Sequence, residues 1–188
     1  MTESDAQLVG ELQEGSRAAF AALYQRYKHR AYVACLRLLG DAEAASDVVQ
    51  GVFLKLYERS SQIREPERFR QWLFTAIRHD CLTCIGQIHR DSRAREELNR
   101  PDAAPGSETE QERSAALNTL LAREIDKLPA ELKEAVILRE YEGFSYQEIA
   151  EITGVKIGLV KFRLFTARKR LARALSPVLK GQAENEMH

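Results

Sequence analysis

The sequence predicts an all-α fold: two small helical domains joined by a flexible linker. Three observations lead there. Apolar residues recur at intervals of three and four over most of the chain, the period of a helix that buries one face. The 188 residues include only 10 glycines and 5 prolines, so few positions interrupt that pattern. Residues 91–113, by contrast, are polar, contain Pro101, Pro105 and Gly106, and show no apolar period, which marks a spacer. No stretch alternates apolar and polar residues between hairpin turns, so no sheet is expected.

Leu8, Val9 and Leu12 suggest a short first helix. From Ser16 to Leu39, the residues Phe20, Leu23, Tyr24, Tyr27, Ala31, Ala34, Cys35 and Leu38 share one face of a long amphipathic helix, with Ser16 placed to cap it. Gly40-Asp41 breaks the pattern. A second long helix, from about Ala42 to Tyr57, turns Val48, Val49, Val52, Phe53 and Leu56 inward. Residues 60–67 then form a polar loop closed by Pro66. The next helix, from about Phe69 to His89, is expected to bury Phe69, Trp72, Leu73, Ala76, Ile77 and Cys84. Beyond the spacer, helical periodicity resumes near Ala115. Pro129 opens a further helix, where its missing N–H costs little, and Val136, Ile137 and Leu138 anchor it. The expected domains are 1–90 and 115–180, with a linker over 91–114 and a tail over 181–188.

Lys+Arg and Asp+Glu each number 28, and zero net charge by itself argues against a nucleic-acid partner. The distribution argues for one. Residues 155–180 hold eight cations (Lys156, Lys161, Arg163, Arg168, Lys169, Arg170, Arg173 and Lys180) and no acid, leaving 20 basic and 28 acidic residues elsewhere. A merely solvated helix face usually mixes both signs, so this segment points to a phosphate contact. No apolar run approaches the ~20 residues of a membrane span, and Met1–Gly10 lacks the basic and apolar stretches of a signal peptide. With 3 cysteines and no export signal, the expected compartment is the reducing cytoplasm. No paired carboxylates, nucleophile triad or phosphate-binding glycine loop stands out. His29, His79, His89 and His188 lack catalytic neighbours, so neither an enzyme nor a cofactor is expected.

Residues 145–171 carry the sharpest pattern. Ser145 and Glu148 have the spacing of a capping box, in which the hydroxyl accepts from a backbone N–H and the carboxylate reaches back. The short helix beginning there contains Ile149, Ala150 and Ile152. After Thr153-Gly154-Val155 comes a second helix with Val160, Leu164, Ala167, Leu171 and Leu175 inward. Two helices joined by a tight glycine turn form a helix-turn-helix. Ala150 permits a close crossing, Gly154 a positive φ, and Val160 seals the second helix onto the first. A purely structural helical hairpin has the same outline, but the cations on its second helix favour DNA. The outward positions are Gly158, Phe162, Phe165, Thr166, Lys169 and Arg173, suited to a groove. Lys161, Arg163, Arg168 and Arg170 flank them, where phosphates lie.

Here the chain resembles a known family. Leu128-Pro129 with Val136-Ile-Leu-Arg139, Glu142-Gly-Phe-Ser-Tyr-Gln-Glu-Ile-Ala150, Gly154-Val155, Val160-Lys-Phe-Arg-Leu164 and Ala167-Arg-Lys-Arg-Leu171 are similar to region 4 of bacterial RNA polymerase sigma factors. Independently, Ala19-Phe20, Leu23-Tyr24, Tyr27, Asp47-Val-Val-Gln50, Val52-Phe-Leu54 and Phe69-Arg-Gln-Trp-Leu73 resemble region 2. Regions 2 and 4 joined directly, without regions 1.1 or 3, resemble the extracytoplasmic-function (ECF) group.

The resemblance implies a non-enzymatic promoter-specificity subunit for core RNA polymerase, held by an anti-sigma factor and not inserted in a membrane. It implies that Asp47, Gln50 and Leu54 dock on the clamp helices of the largest polymerase subunit, and that region 4 meets the flap of the second largest. Periodicity alone says only that Asp47 and Gln50 can point outward. The −10 element would be read by the loop over 60–68 and the helix after it, with Arg64, Arg68, Arg70, Arg78 and His79 as contacts. Opening that element takes a base out of the stack, which suits an apolar or aromatic pocket near cations. Lys161, Phe162, Phe165, Thr166, Arg168, Lys169 and Arg173 would read the −35 element. The linker would thread the RNA exit path, its Glu108, Glu110 and Glu112 reading as a solvated spacer in preference to a nucleic-acid mimic.

The chain also departs from the family. Gly51 stands where a carboxylate is usual and His79 where Asn is common. Gly86 and Gln87 replace a basic pair. Leu159, Phe162 and Thr166 replace Thr, Ser and Arg, which implies an unusual −35 sequence. The alternative is a helix-turn-helix regulator that binds duplex DNA without joining polymerase. The N-terminal half argues against it, with Asp47–Gln50 and no βα alternation of a receiver domain. Cys81-Leu-Thr-Cys84, with His79 nearby and Cys35 on another inward face, has the ingredients of a metal or redox site. Buried thiols acting as small hydrophobes are commoner, so packing is the expected role and no metal is expected.

Overall fold

The structure, a computed structural model, describes residues 3–92 and 119–185, with side chains described over 3–87 and 119–176. Every regular element among them is helical. By internal contacts the chain groups into two compact units: Met1–Arg95 with Gln147–Val155, and Glu96–Tyr146 with Lys156–His188. The expected linker lies outside the described residues, apart from Asp91 and Ser92.

Besides Gln147–Val155, the first unit holds the helices α1 (Asp5–Gln13), α2 (Arg17–Leu39), α3 (Ala42–Arg59) and α4 (Phe69–Ser92). Each of the first three starts at a side-chain cap that satisfies an otherwise orphaned N–H. The Ser4 hydroxyl accepts from Gln7 while the Gln7 side chain accepts from the Ser4 N–H, a full capping box. Ser16 accepts from Ala19 N–H at 3.2 Å, as the sequence predicts, and Asp41 from Ala44 N–H at 2.8 Å. Gly40 caps α2 in the left-handed conformation, with φ 71°, so α3 begins two residues later and packs along α2.

α4 packs against α1, α2 and α3. Its apolar surface is therefore wider than one helical stripe. Phe69, Leu73, Ile77 and Cys81 are buried in one row, and Phe74, 2% exposed, is buried beside them. The expected inward residues Trp72, Ala76 and Cys84 are only half-buried, and Phe74 and Cys81 take the core positions instead. A single-face wheel misses this because it assumes one neighbour. The Phe69 ring meets Tyr27 edge-on at 5.5 Å. The Tyr27 hydroxyl donates to the Asp5 carboxylate, which also accepts from Arg26. Burial first, and then the bond to Asp5, push the Tyr27 hydroxyl well above the usual tyrosine range. It stays a neutral donor that ties α1 to α2.

The stretch between α3 and α4 is two short 3₁₀ turns, Ser60–Gln62 and Pro66–Arg68, rather than a plain loop. Nor is it wholly polar: Ile63 is 4% exposed.

In the second unit, α5 spans 119–126, and α6 (Ala130–Val136) runs into a π-helical turn over Ile137–Tyr141. Pro129, the expected first residue, sits at the N-cap, so the helix starts one residue later than expected. The Glu142 N–H returns to the Ile137 carbonyl at 3.0 Å, the i→i+5 bond of a π turn. Val136, Ile137, Leu138 and the fully covered Phe144 form the apolar centre. Arg139 braces the turn, donating to the Phe144 carbonyl at 2.8 Å while its guanidinium lies 5.0 Å from the Tyr146 ring. α8 (Ile157–Asn185) packs against α6. Between them in sequence lies α7 (Tyr146–Thr153), which from Gln147 on groups with the first unit.

Two glycines sit in opposite backbone conformations. A Cβ at Gly51, within α3, or at Gly154 would meet nothing within 4 Å, so neither change is steric. Gly51 is helical, and Gly51→Ala should raise unfolding free energy by about 0.5–1 kcal/mol. Gly154 has φ 69°, and Gly154→Ala should lower it by about 1–2 kcal/mol through backbone strain. Urea denaturation at unchanged m-value reads both, and the same sign for the two variants contradicts the described geometry.

Candidate nucleic-acid and polymerase interfaces

α7 buries Ile149, Ala150, Ile152 and Thr153. The Thr153 hydroxyl is satisfied within the helix by the Ile149 carbonyl at 2.6 Å. Gly154 takes the positive φ that a tight reversal requires, and the Val155 N–H bonds back to Ala150 at 3.1 Å. α8 starts two residues later. Its inner stripe is Val160, Leu164 and Ala167, all at most 1% exposed. Leu171 and Leu175, expected on the same stripe, are not buried: Leu171 is half-buried and Leu175 likewise.

The opposite face is where the sequence places the groove residues. Phe162 and Phe165 are 62% and 66% exposed, and Gly158 beside them leaves the surface open. Leu159 and Ile157 are exposed as well. Lys161, Lys169, Arg170 and Arg173 are exposed, whereas Arg163 and Thr166 are half-buried. Arg168 is already engaged: it donates to Glu140 on the π turn at 2.7 Å. That bond, followed by one with Tyr146, holds its guanidinium above the usual arginine range. Chemically the face has an aromatic centre with cationic flanks, and no acid on α8 disturbs it between 157 and 176.

A second surface lies on α3. Val48, Val49, Val52, Phe53 and Leu56 point into the core, which leaves Asp47, Gln50 and Leu54 on one outward stripe. The Gln50 amide donates to Ser46 at 3.2 Å, and Leu54 is 56% exposed. Tyr57, three residues on, extends the stripe and packs edge-on against Phe20 with centroids 5.2 Å apart. Sequence reasoning missed Tyr57, although its spacing from Leu54 carries the signal. An acid, an amide and exposed apolar groups suit a protein partner better than a phosphate.

The third set is less concentrated. Arg64 and Arg68 are exposed around the second 3₁₀ turn. Arg68 is oriented by Glu65 at 3.2 Å and by Gln71 at 2.7 Å. Gln71, Thr75 and His79 then line one stripe of α4, and the His79 side chain is 80% exposed. Its Nδ1 lies 3.4 Å from Asp80, whose two oxygens each accept from Lys55 at 2.7 Å. Arg70 and Arg78 are half-buried, off that stripe.

None of the three cysteines is in a disulfide; Cys35 and Cys81 are buried and Cys84 half-buried. Among the described residues no group of three or more His, Cys, Asp or Glu is placed to hold a metal, and no helix is long and apolar enough to cross a membrane.

Residues 23–91 match Sigma-70 region 2, and residues 119–171 match Sigma-70, region 4. The chain belongs to the sigma-70 family. It is 33% identical to the RNA polymerase sigma-H factor of Pseudomonas aeruginosa, over 95% of this chain and 97% of that one. It is 30% identical to the ECF RNA polymerase sigma-E factor of Escherichia coli K12, over 94% and 97% respectively. The solved sigma factor RpoE of Bartonella quintana, in complex with the anti-sigma factor NepR, superposes with TM-score 0.63 at 25% identity, covering 82% of this chain and 96% of that one. CnrH, solved in complex with the cytosolic domain of CnrY, shares the fold with TM-score 0.67 at 22% identity, over 93% and 99%. These relatives identify an alternative sigma factor of the ECF group. A regulator that binds DNA without joining polymerase is not favoured, because region 2 and region 4 occur together.

In this sigma factor the Cys84 thiol is pushed up, by burial first and then by Cys81, Asp41 and Asp47. Its folded value exceeds its unfolded value, so its contribution to stability is complete below the ordinary thiol pKa of 9.0 and is lost as pH rises through the raised value. Only the thiolate is nucleophilic. Alkylation of Cys84 in the native protein should therefore be slow at neutral pH and still accelerating beyond pH 9.0. Replacing Cys81 and Cys84 together with Ala should cost about 1–2 kcal/mol and leave promoter choice unaltered. Stoichiometric zinc in the purified protein, or a promoter response to thiol oxidants that the double variant loses, would refute the packing role.

Proposed function

We propose that this sigma factor docks on core RNA polymerase through the α3 stripe, reads the −35 element with α8, and reads the opened −10 element with residues 60–68 and the outer face of α4. In this reading the clamp helices of the largest polymerase subunit cover Asp47, Gln50 and Leu54, and region 4 meets the flap of the second largest. It performs no chemistry of its own and works in the cytoplasm. An anti-sigma factor holds it until a signal arrives, by analogy with the Bartonella complex. The observation that carries the proposal is α8: a helix without an acid from Ile157 to Ser176, just after a tight turn, that exposes two aromatic rings between cations.

Phosphate contacts supply affinity and groove contacts supply sequence. Lys161, Lys169 and Arg173 suit the first task or a guanine edge. Phe162 and Phe165 have no hydrogen-bonding group, and the natural apolar target in the major groove is the thymine methyl. Arg168, paired with Glu140, has to leave that partner to reach a phosphate.

Run-off transcription with purified core polymerase and a promoter library tests the whole reading. Replacing Asp47 and Gln50 together with Ala should weaken core binding roughly tenfold or more, while duplex −35 binding persists. Unchanged affinity for core polymerase sinks the assignment of α3.

The −35 element should contain at least one thymine under the exposed rings. Phe162→Ser should lose ~1–3 kcal/mol of discrimination at that base pair. Lys161→Ala should instead weaken all sequences alike and reduce the salt slope by about one. Replacing thymine with uracil deletes only the methyl group. If no such replacement reduces binding, and Phe162→Ser keeps promoter preference, the rings do not read the groove.

A further inference from the structure

The region 2 match begins at residue 23, so α1 lies ahead of it. Yet α1 is firmly held. It carries a full capping box, buries Leu8, Val9 and Leu12, and is tied to α2 through Asp5. Its last residue, Gln13, bonds to backbone that lies beyond α3 in the chain. The Gln13 Nε2 donates to the carbonyls of Ser60 and Ile63, both at 2.9 Å. Those two carbonyls mark the ends of the first 3₁₀ turn, which is itself closed by the Ile63 N–H on Ser60 at 3.0 Å. α1 packs against both 3₁₀ turns, and the Ile63 side chain is buried.

Arg64 comes directly after Ile63, and Arg68 stands one more short turn along. A segment pinned by one amide and one buried side chain presents its arginines from a fixed origin. A loop already ordered does not incur its ordering entropy when it meets the strand. We propose that Gln13 is a positioning residue for −10 recognition, acting through residues 60–64 and making no contact with DNA. The inference rests on the proposed reading of residues 60–68 as the −10 reader.

The test uses full-length sigma factor with core polymerase. Initiation is measured on promoters carrying each base at the key −10 positions, as intact duplex and with the −10 segment pre-melted. Gln13→Leu removes the donor, and Gln13→Glu turns a donor into an acceptor facing two carbonyls. Both should flatten −10 discrimination about fivefold, since only part of the effect of two lost hydrogen bonds reaches the arginines, with core binding and −35 duplex binding unchanged. Gln13→Lys supplies an ammonium donor and should retain discrimination. Where Gln13→Leu melts too early to assay, the contrast between Gln13→Glu and Gln13→Lys decides. Arg64→Ala serves as the reference for the loop. If Arg64→Ala alters −10 discrimination while the Leu and Glu variants do not, the positioning role is wrong. If Arg64→Ala and the Gln13 variants all leave it intact, the −10 reading of the loop fails first. Loss of thermal stability in the Leu and Glu variants with full discrimination marks Gln13 as merely structural.

Discussion

The burial of α4 between three other helices constrains nearly everything else in the first unit. Because Phe69, Leu73, Phe74, Ile77 and Cys81 are all withdrawn from water, only a narrow part of α4 is left for polar work. Burying that much apolar surface contributes on the order of 1.5–3 kcal/mol for each large side chain. The same packing fixes α3: with six apolar residues turned inward, Asp47, Gln50 and Leu54 have no direction left but outward. The proposed polymerase face and the proposed −10 face are thus the surfaces that remain after the core has taken its share.

The second unit obeys another rule. Its core is small, and polar braces around the π turn supplement it. Arg139 ties the turn to the carbonyl of Phe144, and Glu140 on the same turn holds Arg168 of α8. Both partners of that ion pair are about half exposed, so it adds little stability. Its consequence is orientation. A guanidinium held by a carboxylate is available to phosphate only by exchange, whereas Lys161, Lys169 and Arg173 extend from the open face.

Much of this architecture is legible in the sequence because helices announce themselves by period. The long helices, the Ser16 cap, the Gly154 turn and the Val160, Leu164, Ala167 stripe all arise from residues close together in the chain. The exposure of Phe162 and Phe165 comes from the same wheel. Periodicity cannot supply how many neighbours a helix has, and so Phe74 and Cys81 hold core positions that the wheel assigns to Trp72 and Cys84. Nor does a wheel foresee the π turn, which adds a residue to one helical turn and shifts the register of every residue after it. The bonds from Gln13 to Ser60 and Ile63 span 47 and 50 residues, and no local pattern encodes them. Ile63 does carry a signal, as a lone apolar residue in a polar stretch whose burial anchors the turn.

The two proposed reading modes call for different supports, and the fold supplies them. A duplex presents its sequence on an outer edge of fixed geometry, so a straight helix with its side chains already displayed is sufficient. α8 meets that need with a buried stripe on one face and Phe162 and Phe165 on the other. A strand being opened presents bases that must be caught out of the stack, which calls for a concave, irregular surface. The two 3₁₀ turns between α3 and α4 provide such a surface, beside the half-buried Trp72. Such short turns have few internal hydrogen bonds, and their remaining backbone groups are held from outside. Here Ile63 and the capped, well-packed α1 do the holding, so rigidity is borrowed from a helix that lies ahead of the matched region.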